Sequence, residues 1–281
     1  MNDDTKNSFN KFNKIAVKKI IISLAVLITL IVISDGLSSN IEKMSGSGFQ
    51  RIEIGFIKET GIPYGNSLSY RDIKDFVSKN RYISISFASE LKTYASSNYS
   101  AVPVKLQLTD DNFPEFEGIK LLKGAYFTEY SVNTGSSVAI ISDRLAYILY
   151  KTLDAVGNEI ELNGETYKVS GIYESSKSII SFLSNDGYDR VYVPFTSISY
   201  YSSMPVQKIF LRNEDFDRQE FEVMKLQSTF AEEYGIGQWD YRINDYYKQS
   251  KVLNWLNHIP VFIIGVLSII LLFKIELVFI K

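Results

Sequence analysis

The residues in this chain that could do chemistry are few, and their spacing argues against each chemistry in turn. A serine hydrolase needs a nucleophile, an imidazole base and a carboxylate within hydrogen-bond reach of one another. Ser142-Asp143 offers the first and last types, but the single histidine is His258, beside Pro260 at the edge of a long apolar run. A triad would therefore need its base at a lipid boundary, and Ser142-Asp143 reads instead as a helix N-cap. Asn185-Asp186-Gly187-x-Asp189 groups carboxylates around a turn glycine, yet it lacks the spaced ligands and terminal glutamate of a calcium loop. It reads as a turn. With no cysteine there is no disulfide, thiolate metal site, lipoprotein anchor or cysteine nucleophile. No G-x-x-x-x-G-K-[ST] occurs, so the chain cannot bind ATP in the P-loop manner. No catalytic, cofactor-binding or metal-binding residue is assigned, no cofactor is expected, and the protein is read as a non-enzyme. A formal net charge of −2 argues against nucleic acid as a partner, which needs a concentrated basic face.

The layout carries more information than any motif. Apolar runs at residues 20–33 and 259–273 flank a polar-patterned middle. A helix rises ~1.5 Å per residue and must cover ~30 Å of hydrocarbon, so roughly 20 residues are needed. Residues 15–17 and Leu37 lengthen the first run, and Lys18 and Lys19 can snorkel to the head groups. The second run starts at Trp255-Leu256 and continues past Lys274 and Glu276 through residues 277–280. The alternative for the first run is a cleaved signal peptide with Lys11, Lys14, Lys18 and Lys19 as its basic region. Val32-Ile33-Ser34 is no clean A-x-A site, and residues 35–43 continue with helical patterning, which favours an uncleaved anchor. The lysine-rich start places the N-terminus inside. The expected order is a cytoplasmic tail over residues 1–14, a transmembrane helix over 15–37, an extracytoplasmic domain over 38–254, and a second transmembrane helix with a short cytoplasmic end over 255–281. That is a two-pass cell-membrane protein with both termini cytoplasmic and lipid around its spans. Tyr246, Tyr247 and Trp255 are expected to form an aromatic belt at the outer boundary.

Between the spans the patterning is mixed. Residues 50–58 alternate apolar and polar like a half-buried strand. Ser69-x-x-Asp72 resembles a capping box opening a helix through Ile73, Phe76 and Val77, and residues 82–94 return to period two. A similar order recurs late, with strands at residues 208–212 and 239–243 around helical spacing at 215–234. Two β-α-β units thus frame an insertion. The insertion holds strand candidates at 104–108, 137–142, 159–162, 167–173 and 190–193, with a helix at 143–150 and a turn-rich stretch at 109–118. Asn163-Gly164 is its strongest hairpin signal. Gly124, Gly157 and Gly171 read as tight backbone positions rather than ligand contacts, and Pro194 as a strand end.

The order Gly118, Leu121-Leu122-Lys123-Gly124-Ala125-Tyr126-Phe127, Val138-Ala139-Ile140-Ile141-Ser142, Leu145-Ala146, Gly157-Asn158-x-Ile160, Tyr167-Lys168-Val169-Ser170-Gly171-Ile172-Tyr173 and Val191-Tyr192-Val193-Pro194 resembles one family. It is similar to the periplasmic core domain of MacB-type (MacB/FtsX-like) ABC transporter permeases. The resemblance implies an α+β, membrane-anchored extracytoplasmic domain of two lobes. One is porter-like and built from the split β-α-β units; the other is an inserted, mostly-β lobe over about residues 104–200. It also implies a permease that transmits the motion of a separate cytoplasmic ABC ATPase to this domain. Such systems often act on exported peptides, antibiotics, lipoproteins or cell-wall enzymes. Complete permeases follow the second span with a coupling helix and two further spans, whereas here only residues 274–281 follow. The expectation is therefore a partial or split permease, with a second permease chain as a possible supplier of the missing helices. The alternative is a stand-alone membrane-anchored extracellular binding or sensory module.

Overall fold

The period-two stretch at residues 50–58 becomes a strand, β1 (Ile52–Phe56), whose Ile52, Ile54 and Phe56 are buried. There follow, in chain order, α1 (Tyr70–Lys79), β2 (Ser84–Ser96), β3 (Ala101–Thr109), α2 (Phe113–Glu117), β4 (Leu121–Gly124), α3 (Glu129–Thr134), β5 (Val138–Ser142) and α4 (Asp143–Tyr150). The remainder is β6 (Glu159–Leu162), β7 (Glu165–Tyr173), β8 (Asp189–Pro194), β9 (Lys208–Arg212), α5 (Gln219–Glu233) and β10 (Tyr241–Asp245). The computed structural model describes residues 51–57, 66–79, 84–98, 100–175, 187–212 and 219–246, together with isolated positions in the terminal segments. The chain divides into two units, Met1–Met44 with Lys248–Lys281, and Ser45–Tyr247. Most of both expected spans, 15–37 and 255–281, lies outside the described residues. Among those described there, Lys18, Ile21, Ala25, Ile28, Thr29 and Ile263 are helical. No helix of the described residues is long and apolar enough to cross a membrane.

The sheet runs β10-β1-β9-β2-β3-β8-β5-β7-β4, with β6 paired to β2 and β7. In its first four strands the two β-α-β units interleave. β9 lies between β1 and β2, and β1 lies between β9 and β10, all antiparallel neighbours. This is the split arrangement, in which each unit brackets a strand of the other. Its helices cover one face side by side. Phe76 of α1 meets Phe230 of α5 at 5.6 Å, Phe230 meets Phe56 at 6.1 Å, and Lys79 bridges to Glu233 at 2.8 Å. The capping box is reciprocal. The Asp72 amide donates to Ser69 Oγ at 3.2 Å, and the Ser69 amide donates to the Asp72 carboxylate at 3.0 Å.

The inserted strands continue the same sheet instead of forming a detached layer. β2 makes the connection because it is 13 residues long. Its first half pairs with β9 (Ser84↔Arg212 to Ala88↔Lys208), and its second half with β3 (Ala88↔Thr109 to Ser96↔Ala101). The two expected lobes are thus the two ends of one hydrogen-bonded sheet. β3 with β8, and β5 with β7, pair in parallel. Asn163 and Gly164 both adopt positive φ, 54° and 81°, as a two-residue I′ hairpin requires.

Both faces of the sheet are covered. Alternation along β9 sends Ile209 and Leu211 to the face under α1 and α5, and Phe210 to the opposite face. There Phe210 meets Phe113 and Phe116 of α2 at 5.5 and 6.0 Å, in a second cluster with Ala88, Phe127, Val132, Ile140 and Tyr192. The insertion thereby places a short helix over the second face of the interleaved β-α-β units.

Candidate functional site at the root of the domain

The described domain begins at Arg51 and ends at Tyr246, and these residues are neighbours. β1 and β10 pair from Ile52↔Asp245 to Phe56↔Tyr241, and the Tyr246 amide adds one more bond, to the Arg51 carbonyl at 3.2 Å. Both connections to the apolar runs therefore leave from one point. Arg51 is 8% exposed although it stands just ahead of β1, where the described domain begins. Its guanidinium lies over the Tyr246 ring, with Cζ 4.6 Å from the centroid, and 5.9 Å from the centroid of Phe210. Its Nη1 donates to the Phe116 carbonyl and, at 3.1 Å, to the Glu117 carboxylate. One side chain thus ties the first strand, the last strand and the inserted helix α2.

Glu53 completes the arrangement on the same face of β1. It accepts from the Tyr246 hydroxyl at 2.9 Å and pairs with Lys208 at 2.8 Å. Burial pushes the Glu53 carboxyl up, but Lys208, the Tyr246 hydroxyl and Arg51 outweigh it and hold the group below the ordinary glutamate value. Burial and the neighbouring Glu53 push the Tyr246 phenol up, so it stays a neutral donor. Arg51 is thus a hub stacked on a ring and bonded to a main-chain carbonyl, a geometry that suits the planar guanidinium and not an ammonium. Such a hub does no bond chemistry. It joins both ends of the domain to α2 through one side chain.

The residues singled out by sequence lie elsewhere and have structural roles. Ser142 is an N-cap, its Oγ accepting from the Leu145 amide at 2.9 Å while donating to Asp189 at 2.9 Å. Such a cap contributes ~1 kcal/mol. Asp189 also receives Arg144 Nε at 3.0 Å, so its carboxylate is committed to holding β8 against α4. Asp143 accepts from the Ser175 amide at 3.1 Å. Asn185 and Asp186 lie outside the described residues, as do His258, Tyr247 and Trp255. Among the described residues no group of three or more His, Cys, Asp and Glu could hold a metal ion. Tyr246, expected in a belt with Tyr247 and Trp255, is docked in the domain, where Arg51 and Glu53 give its ring and its hydroxyl partners.

The sequence profile of the MacB-like periplasmic core domain matches residues 19–222. The chain belongs to this family. It is thereby a MacB-like periplasmic core domain of the ABC transporter permease type. Its fold is that of the periplasmic region of MacB from Actinobacillus actinomycetemcomitans, with a TM-score of 0.61 at 15% identity over 76% of this chain and 96% of that one. The extracellular domain of the ABC-type transporter YknZ from Gram-positive bacteria is similar too, with a TM-score of 0.56 at 16% identity over 69% of this chain and 99% of that one. No curated protein matches the chain. Arg51, Glu53, α2 and Lys208 fall inside the family match, and Tyr246 falls beyond it.

Proposed function

We propose that this chain is the permease component of a MacB-like ABC transporter, a two-pass membrane protein with both termini cytoplasmic. ATP hydrolysis by a separate cytoplasmic ATPase subunit drives motion of its extracytoplasmic domain. The observation that carries this reading is the family match, which starts at residue 19, at the edge of the first apolar run, and continues to residue 222 of the domain. The root geometry supports it physically. Work done on one side of a membrane reaches the other only if the connections are continuous with the fold, and coupling of two sites is a free energy shared through such a link. Paired connections locked by one guanidinium meet that requirement. Hydrolysis is assigned to the partner because the 281 residues contain no P-loop.

The direct test is purification of the full chain, tagged and in mild detergent, with identification of what stays bound. An ABC ATPase should co-purify in defined ratio, and a second permease chain should appear with it if helices are supplied in trans. An isolated chain with no ATPase would overturn the transporter reading in favour of a stand-alone ligand-recognition module. Topology is testable separately because the chain is free of cysteine. Trp239 is 84% exposed on the domain. Trp239→Cys should react with an impermeant maleimide in intact cells, and Ser8→Cys only after permeabilisation. The reverse pattern would refute the orientation.

A further inference from the structure

α2 grips Arg51, and besides the packing of Phe113 and Phe116 on Phe210 it is held to the sheet by three side chains just ahead of it. β3 stops pairing at Thr109, opposite Ala88 on one side and Pro194 on the other. Beyond that point Thr109 Oγ1 donates to the Phe87 carbonyl at 2.8 Å and Asn112 Nδ2 to the Ile85 carbonyl at 3.2 Å. Between them Asp110, 6% exposed, accepts from Ser86 Oγ at 2.5 Å. These ties join residues 109–112 to β2, and α2 begins at the next residue.

Asp110 is an unusual tether. Among the described residues no basic side chain is bonded to it. The titratable groups that act on it are Asp111 beside it, Tyr70 on α1 and Tyr126 after β4, while Lys74 on α1, Glu115 on α2 and Glu129 on α3 face Asp111. Lys74 acts on Asp111 rather than on Asp110. The Tyr126 hydroxyl is buried and has no hydrogen-bond partner among the described residues. Burial raises the Asp110 carboxyl to about 7, helped by Asp111 and opposed by hydrogen bonds from Ser86 and from the amides of Asp110 and Phe87.

We propose that Asp110 is a proton-dependent latch for α2. With the carboxyl neutral, residues 109–112 stay docked on β2 and α2 holds Arg51. With it ionised, a charge sits in a nearly dry site without a cation, and the segment opens to hydrate it. The sign follows from linkage. The docked-state value, about 7, lies above the ~3.9 of an exposed aspartate. Docking is therefore strongest below about pH 4, weakens roughly tenfold per pH unit above that, and levels off once pH passes the docked-state value. The consequence at Arg51 rests on reading the root as the coupling point; the latch itself does not.

Native-state hydrogen exchange on the full chain in detergent, corrected for intrinsic rates, reads it directly. The reporters are the Gly118 and Ile119 amides, which donate to the Pro114 carbonyl at 2.9 and 3.3 Å. From pH 5 to pH 7 their protection should fall roughly hundredfold, then change little to pH 9. Asp110→Asn, which keeps an acceptor for Ser86 and cannot ionise, should hold the pH 5 protection throughout. Ser86→Ala removes a bond that favours the charged form, so its levelling point should move to higher pH. Wild-type protection equal at pH 5 and pH 8 would overturn the latch, as would an Asn variant that tracks wild type. Neither result depends on whether an ATPase binds.

Discussion

Arg51→Met should lower the stability of the domain by about 3 kcal/mol, read as a fall in the urea midpoint with an unchanged slope. The figure is built from parts. Loss of a charge-assisted bond to the Phe116 carbonyl costs about 1.5–3 kcal/mol. Loss of the stack on Tyr246 costs about 1 kcal/mol. The bond to Glu117 adds little, because that carboxylate is about one-third exposed and its pairing is screened by solvent. Methionine keeps most of the packing volume, so the loss reports the guanidinium rather than a cavity. Arg51→Lys should recover less than half, since an ammonium neither stacks flat on Tyr246 nor presents the same fork. Location distinguishes a coupling role from a general one. In the Met variant amide protection should fall further at Gly118 than at Ile54 and Ile243, inside the β1–β10 pair, which should lose only what the global stability loses. A uniform loss across both regions would reduce Arg51 to an ordinary stabilising residue. The Glu53 arm of the same root has its own pH signature. Its carboxyl is held below the ordinary value, so its contribution is complete above about pH 4.3 and is lost as acid protonates it. The root thus loosens in acid, whereas the Asp110 segment loosens as pH rises.

Local signals in the sequence were strong where one or two residues determine a backbone shape. The Ser69 capping box and the Asn163-Gly164 hairpin are of this kind, and both stand where the spacing puts them. α2 reads as turn in the sequence because five residues carry too little periodicity, and because Pro114 and Gly118 look like breakers. Proline is tolerated in a first helical turn, and Gly118 is the left-handed cap that ends the helix. The spacing puts the last strand at 239–243, two residues ahead of its place in the structure. A tight turn, with the Gly237 amide donating to the Asp240 carboxylate at 2.8 Å, takes up Trp239, so the strand starts at Tyr241. The root was the least legible part. Alternation along residues 50–58 puts Arg51 and Glu53 on the polar face of β1, where solvent is the natural partner. Arg51 is buried because a helix 65 residues away in sequence covers it, and Glu53 because Lys208 and Tyr246 close on it. Nothing in a local pattern announces a contact of that separation. The interleaving of β1 and β9 is non-local too, but the repeated β-α-β order signals it.

Gly124→Ala should be among the most damaging single changes in the domain, with an expected loss of at least about 3 kcal/mol. Two causes add. Gly124 has φ of 75°, where an L-residue costs about 1–2 kcal/mol. A Cβ there would also lie 2.1 Å from the Ser170 carbonyl oxygen and 2.9 Å from Gly171 Cα, both backbone atoms of β7. β7 cannot retreat, since it is paired on its other side to β5 and the Ala125 amide donates to that same Ser170 carbonyl at 3.0 Å. The relief available is for β4 to leave the sheet, which would draw buried Phe127 out with it. Gly157→Ala separates the two causes. It also has positive φ, 94°, but its nearest neighbour is the flexible end of Lys168 at 3.9 Å. It should lose only the backbone part, about 1–2 kcal/mol. Urea midpoints of the two variants measured side by side decide the matter. If they fall equally, backbone conformation alone explains both glycines. If Gly124→Ala falls much further, the close approach of β4 to β7 is what requires glycine at that position.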